Sequence, residues 1–576
     1  MQATRTTDTA TAVAHAEAPD IRRAALWRDW DQGVREAEAR QAPILCLAEP
    51  YWTNSAQRLA HVMRTNGFAG EALLPYVPIR IDPIDRPDLV ATQRFAAVRQ
   101  TGGDGPPLLS LLTHEGLPFL NYCTMFPEGD DTHPSLASLL RSVAELYATQ
   151  PGRVADEARR HSAVGLPEAS DRMAAEVLAW TAPESELDDT FGGIRGRPKH
   201  PNPPLLELLM HRAEGGDAAA REQLSKALTG MYRGGILDQL AGRFHRCARD
   251  ERWIVPHFEM TCTDNAALAA IYARAASLLG SADFAHVATS AARFALACLQ
   301  EGACAVASST HYYTWTAQEM QEPLDPALIQ ALGLHFKITP HPSRHVLYRA
   351  REPKEMAQEC FEPLKALRRR LEAGKSRLAL HRARRTAPAL VALEAPSWAA
   401  ETVRQLYLAS RAGADVDPIA LRKELQKLID APYDSLLGYS RGSGHYLEDQ
   451  AAVALCCATA YGVDREPELL AAATRLARII RDRYYDPDSG ALYDRPRNDP
   501  GGPSSRSLVD TFVPAAVSTT IRAFDSLATH CQDAASSRVA QAVFERYLLP
   551  AAQVGHRAAS YRLASLARSR QRIEPA

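Results

Sequence analysis

The chain has 576 residues, 46% of them hydrophobic and 23% charged, with a formal net charge of −2. That length exceeds one ordinary hydrophobic core, so two or more domains are expected. The near-neutral balance gives no electrostatic footprint for nucleic acid or a membrane surface, and no apolar run reaches the ~18–20 residues of a membrane span.

Residues 1–23, rich in Thr, Ala and Asp, carry no apolar run of a secretory signal and read as a disordered leader. From 24 to 150 the pattern is α/β. Trp27, Trp30 and Val34 share one helix face, and residues 43–48 (PILCLA) read as a buried strand. A helix is predicted over 55–66, a strand over 76–82, and a helix over 89–98. Strands follow at 107–113 and 118–122, with a turn at His114-Glu115-Gly116 between them. This order looks like a thioredoxin fold, in which Pro107 matches a proline that is cis ahead of the third strand. Thiol–disulfide exchange on that fold needs a low-pKa thiol at a helix N-terminus and a second cysteine on the next turn. Residues 51–63 (YWTNSAQRLAHVM) contain no cysteine, and Cys46 falls in the preceding strand as a buried thiol. A redox-inactive module is therefore expected. The ten cysteines form no C-x-x-C pair, which favours a reducing, cytoplasmic setting over a disulfide framework.

From 165 to 560 helical periodicity dominates. Residues 265–279 place Leu268, Ile271, Tyr272, Ala275 and Leu279 on one face, with 284–300 as the antiparallel partner across Gly280. Further pairs read at 205–215 with 217–232, 398–412 with 418–430, 447–461 with 467–485, and 512–531 with 536–551. Recurring helix hairpins predict a mostly α toroid, an (α/α)6 barrel, and residues 561–576 read as a tail. The basic run at 364–385 reads as a solvated helix face.

One stretch, Gly234–Asn265, is denser in acid/base side chains than the rest. It holds His245, His257, Asp238, Glu259 and Asp264, with Phe244, Phe258 and Trp253 among them. Polar segments also precede other hairpins: Ser397, Glu448-Asp449 and Asp510. In an α/α barrel such segments gather at one mouth. Asp264, Ser397 and Asp510 are also good N-cap types, whereas His257, Glu259, Glu448 and Asp449 add charge beyond a cap.

Residues 24–527 resemble the thioredoxin-domain-containing proteins, the family of the animal spermatogenesis-associated protein. The resemblance rests on residues 81–89 (IDPIDRPDL), 191–201 (FGGIRGRPKHP), 234–246 (GGILDQLAGRFHR), 250–266 (DERWIVPHFEMTCTDNA), 313–316 (YTWT) and 446–451 (YLEDQA). It implies a thioredoxin-like domain followed by a six-hairpin barrel similar to N-acylglucosamine 2-epimerases and related glycosidases. Against the family pattern, the two redox cysteines are replaced by Gln57 and Ala60, and an Asp-Asp-Lys cluster by Val391, Ala392 and Leu393. An acidic segment before residues 313–316 is reduced to 305–310 (AVASST).

Barrels of this kind work on sugars with paired acids and bases. His245, His257, Glu259 and Asp264 suit proton removal and return beside a carbonyl, and Glu259 with Glu448 or Asp449 suits glycoside hydrolysis. Asp238, Phe244, Arg246, Trp253, Trp315 and Trp398 are the candidate ligand contacts. His257 and Glu259 are spaced i,i+2 without a regular His/Cys array, so no metal site and no cofactor are expected. The reading is a divergent protein that binds a sugar-like or other small ligand in the barrel cleft. A protein partner through the thioredoxin-like domain accompanies it, with no nucleic acid and no membrane. The alternative is an enzyme of epimerase, isomerase or glycosidase type that keeps its His and carboxylate groups at work.

Overall fold

A computed structural model of the chain describes residues 27–64, 72–101, 108–123, 135–162, 186–323, 336–341, 344–359, 361–442, 444–499, 505 and 507–573. The leader and Pro107 lie outside the described residues.

The front of the chain runs α1 (Trp30–Arg40), β1 (Ile44–Ala48), α2 (Asn54–Arg64), β2 (Val77–Ile81), α3 (Pro87–Thr101), β3 (Leu108–Leu112), β4 (Pro118–Cys123), α4 (Leu136–Thr149) and α5 (Pro151–Ser162). The strands form one sheet in the order β2-β1-β3-β4, with β1 parallel to β2 and antiparallel to β3. Every residue of β1 and β3 is buried, because helices cover both faces of the sheet. Trp27 precedes the first helix rather than joining its face; Asp29 caps that helix by accepting the Gln32 N–H at 2.8 Å.

The remainder is a ring of helices. α6 (Pro203–Glu214) pairs with α7 (Ala218–Arg233), α8 (Cys262–Leu279) with α9 (Ala282–Gln300), and the basic α10 (Leu364–Arg382) lies outside the hairpin series. Then come α11 (Pro396–Arg411) with α12 (Pro418–Ile429), α13 (Leu447–Asp464) with α14 (Pro467–Ile479), α15 (Ala516–Cys531) with α16 (Ala534–Gln553), and last α17 (Ala559–Ile573). The first helix of each pair touches the first helix of the next, and α17 packs against both α15 and α6. Six inner helices, α6, α8, α11, α13, α15 and α17, thus close a barrel.

Local chemistry sets these hairpins. α8 ends on Gly280 at φ 68, and Ser281 at once caps α9 through the Phe284 N–H. Asp217, Asp417 and Asp533 cap α7, α12 and α16 in the same way. Inner helices are apolar nearly all round: residues 262–273 of α8 are all buried. On α10 only Leu367, Leu371, Gly374, Leu378 and Arg382 are buried, as a solvated basic helix requires.

The tail expected from 561 is instead the closing helix. Tyr561, Leu563 and Ala564 are buried, Leu566 packs beside Leu205 and Leu208 of α6, and the arginines between them hide the pattern in a linear reading. Asp510 ties α17 to the ring by accepting the Ala515 N–H at 3.0 Å and the Ser560 N–H at 2.8 Å. No helix among the described residues is long and apolar enough to cross a membrane.

Candidate functional site

The polar segments do gather at one mouth, the end where the inner helices begin. That mouth is filled by the thioredoxin-like domain. Trp52, at 0% exposure, packs edge-on against Phe512 at 5.9 Å, and Phe512 stacks on Trp398 at 4.8 Å. Trp52, Ile84, Phe95 and Val98 belong to the same apolar cluster as the barrel helices. Across the boundary the Ser308 N–H donates to the Trp52 carbonyl at 3.3 Å, and Arg246 lies 3.6 Å from Glu49 while its guanidinium covers the Phe512 ring at 3.9 Å.

Arg441, on a short strand at Gly438–Arg441, is the polar centre of this boundary. Its guanidinium donates to Ser397 Oγ at 2.7 Å, to Glu448 Oε1 at 2.9 Å and to Asp449, and to the Ile84 carbonyl across the boundary at 3.0 Å. Burial works against its charge, yet Asp449 and Glu448 hold it protonated above the ordinary arginine range. Asp449 also accepts the Ser397 N–H at 2.9 Å, capping α11 from α13. The two carboxylates considered for glycoside hydrolysis are therefore bound to a buried cation that spans two domains. Sequence reasoning missed Arg441, one arginine among many with no motif around it.

His257 and Glu259 meet: His257 Nδ1 lies 3.6 Å from Glu259 Oε1, and each residue is 1% exposed. They sit on a segment folded back along residues 246–248. The His257 N–H donates to the Cys247 carbonyl and the Arg246 N–H to the Glu259 carbonyl, both at 2.9 Å. One step on one strand answers two on the other, a bulge that brings Cys247 beside His257 and Glu259. Their ligand-type atoms all lie within 4.8 Å of one another. Sequence reasoning singled out the His and the Glu but not Cys247, whose ten-residue distance gives no short-range signal. Burial pushes Glu259 up to about 7 and, with the charges of His200, Arg249, Arg246 and Arg58 around it, His257 down to about 3.

His245 stands apart, edge-on between Tyr313 at 4.7 Å and Phe258 at 5.6 Å, and burial lowers it to about 3. Asp264 is not the cap of α8; Thr261 is, accepting the Asp264 N–H at 3.1 Å while its hydroxyl donates to Asp264 Oδ2 at 2.6 Å.

The six candidate ligand contacts are dispersed. Phe244 stacks on Tyr272 at 5.3 Å, and Asp238 is bound by Arg382 of the basic helix at 2.8 Å. Burial opposes the charge of Asp238, but Arg382 and Arg243 hold its carboxyl below the usual range. Trp253, at φ 66, fills a slot made by glycines: a Cβ on Gly234 would stand 2.2 Å from the Trp253 carbonyl oxygen. Its indole N–H donates to the Phe191 carbonyl at 2.9 Å. Trp315 lies under Arg385 in a separate cluster with Met320 and Leu347, and Trp398 and Arg246 join the Phe512 stack. They form no common aromatic floor. Leu390–Ala392 is a strand paired with Ala303–Val306, and Val391 is buried in the barrel's apolar cluster with Leu393 packed against it.

Two cavities are relevant. One of about 330 Å³ lies against α2, lined by Gln57, Arg58, Arg249, Phe258 and Thr310 among others. The other, about 500 Å³, is in the barrel lumen towards the opposite end. Five inner helices line it, and its polar wall includes Glu207, His211, Arg274, Arg404, Arg411 and Arg522.

Fold and site together define a thioredoxin-like domain seated on the mouth of a six-hairpin helical barrel. Residues 15–164 match the profile of a family described as a protein of unknown function, DUF255, under the name Thioredox_DsbH. The chain is also similar to human spermatogenesis-associated protein 20, at 23% identity over 53% of this chain and 43% of the human protein. It thus spans less than half the length of that relative. Among solved structures it is similar to the cellobiose 2-epimerase of Bacillus thermoamylovorans B4167, with 9% identity, a TM-score of 0.40, and coverage of 65% of this chain and 84% of that one. A D-mannose isomerase overlaps with the same identity and TM-score over 69% of this chain and 98% of that one.

Replacing Arg441 tests the boundary. Arg441→Met is expected to lose about 3–5 kcal/mol in urea unfolding, because it leaves the buried Asp449 carboxylate and the half-buried Glu448 beside it without their cation. The double variant with Asp449→Asn is expected to recover part of that loss; additive effects would show that the pair is not coupled.

Proposed function

We propose that this protein binds a small anionic, sugar-sized ligand in the barrel lumen, and that its thioredoxin-like domain is a redox-inactive cover for the other mouth. One observation carries the reading: the barrel holds a lumen cavity of about 500 Å³ with four arginines in its wall. That volume falls within the ~300–1,000 Å³ of small-molecule sites. The arginines are partly neutralised. Arg404 is held by Glu401 at 2.8 and 2.7 Å, Arg522 lies 3.3 Å from Glu207, and Arg274 is bound by Glu214 at 3.0 and 2.6 Å. Four guanidinium groups against three carboxylates leave one positive charge, with Arg411 exposed at the rim. Planar guanidinium forks suit carboxylate or phosphate, and Ile271, Leu408 and Leu455 supply apolar wall for a carbon skeleton.

The site, as well as Gln57 and Ala60, supports redox inactivity. Cys46 is buried in β1, where burial pushes its thiol up, away from nucleophilic range. The buried, unpaired thiols support a cytoplasmic setting. The face of α2 that would meet a partner protein is turned to the barrel, so we assign this chain's own barrel as that partner.

A second reading, a sugar epimerase or isomerase, is favoured by one observation: Glu259, held near 7, stands against a neutral His257 behind the smaller cavity. The glycosidase form of it lacks a second carboxylate, since Glu448 and Asp449 are engaged by Arg441.

Calorimetric titration with inorganic phosphate, hexose phosphates, hexuronic acids and neutral hexoses tests the ligand reading. Saturable binding of an anionic sugar is expected, weakened about tenfold in Arg411→Gln, the effect of one lost charge-assisted hydrogen bond of roughly 1.5 kcal/mol. Silence across the panel overturns it. An insulin-reduction assay is expected to show no turnover above the dithiol blank. Solvent deuterium appearing in a reducing sugar, and vanishing in Glu259→Gln, would instead establish the epimerase reading.

A further inference from the structure

The cluster of Cys247, His257 and Glu259 is not explained by ligand binding in the lumen, from which it is separate. All three side chains are buried, at 0%, 1% and 1% exposure. Neither ring nitrogen of His257 has a hydrogen-bond partner, and Glu259 Oε1 has none. Buried polar atoms are almost always satisfied, and an imidazole with both nitrogens orphaned is a rare exception. The unpartnered atoms face one another, with Nδ1 3.6 Å from Oε1 and the thiol within 4.8 Å of both. A tetrahedral ion bound at ~2.0–2.3 Å separates its donors by roughly 3.3–3.7 Å, so a small closing of the cysteine side chain completes the geometry.

We propose that Cys247, His257 and Glu259 form a metal site for a divalent transition ion of the zinc class, with three protein ligands and an open fourth position. A mixed sulfur, nitrogen and oxygen set is selective for such an ion over magnesium or calcium, which take oxygen alone. Binding releases the thiol proton, and the thiolate and carboxylate then balance the charge of the dication. The second carboxylate oxygen of Glu259 is held by the Asn54 N–H at 3.4 Å, which orients the ligand from the thioredoxin-like domain. The 330 Å³ cavity, whose wall includes Pro256 and Phe258 on either side of His257, gives the ion a route in.

The test uses the untagged full chain, reduced, and stripped with a chelator. Titration with Co²⁺ is expected to give one ion per chain, with the near-ultraviolet thiolate-to-cobalt charge-transfer band and the intense visible bands of tetrahedral cobalt. Zn²⁺ is expected to displace it stoichiometrically. Cys247→Ser should remove the charge-transfer band, and His257→Gln or Glu259→Gln should weaken Co²⁺ affinity by more than about a hundredfold, beyond the loss typical of an outer-shell partner. A folded wild-type chain without the thiolate band overturns the proposal, whatever the variants do. So does a band that persists unchanged in Cys247→Ser, which would assign it to another cysteine. Neither outcome bears on the lumen, whose ligand is read by calorimetry.

Discussion

The arrangement of this molecule depends on one buried guanidinium. Arg441 reaches from the barrel to the Pro83 and Ile84 carbonyls of the thioredoxin-like domain while holding Glu448 and Asp449. A lone arginine at 2% exposure would be too costly to keep charged. Its two carboxylates make it tolerable, and they are themselves tolerable only because of it. The boundary therefore forms as a unit: the charges on α13 need the strand carrying Arg441, and the last donors of Arg441 need carbonyls from the other domain.

That interlock decides where chemistry is possible. The mouth at which the polar segments converge is packed with Trp52, Phe512 and Trp398 rather than open to a substrate. The catalytic candidates Glu448 and Asp449 and the candidate ligand contact Asp238 are each bound to a buried arginine. Space for a ligand survives at the other end of the barrel. There Glu207, Arg274, Arg404, Arg411 and Arg522 line a cavity, and the arginines are only partly neutralised.

Much of the fold was legible because it is carried by local signals. The hairpins follow from apolar periodicity, Gly280 and the capping aspartates. The convergence of Glu259, Ser397 and Glu448 at one mouth follows from barrel topology alone. The roles of these residues were not legible, because each depends on a partner far away in sequence. Arg382 reaches Asp238 across 144 positions, and Arg441 reaches Ile84 across 357. Cys247 escaped for a subtler reason: a bulge, not a sequence spacing, places it beside His257. The closing helix was hidden by its charge, since a helix that buries one narrow face can carry arginines everywhere else.

The absence of cysteine from residues 51–63 and the seating of the domain are physically linked. In a thioredoxin-like module the N-terminus of the helix after β1 stabilises a thiolate through its unsatisfied N–H groups and its dipole. Here the Asn54 N–H, at that same N-terminus, is directed at Glu259 of the barrel. A thiolate on the first turn would compete for those donors and place a second negative charge beside the carboxylate. A side chain such as Gln57 does neither. The helix end in this chain serves as an internal anchor to the barrel.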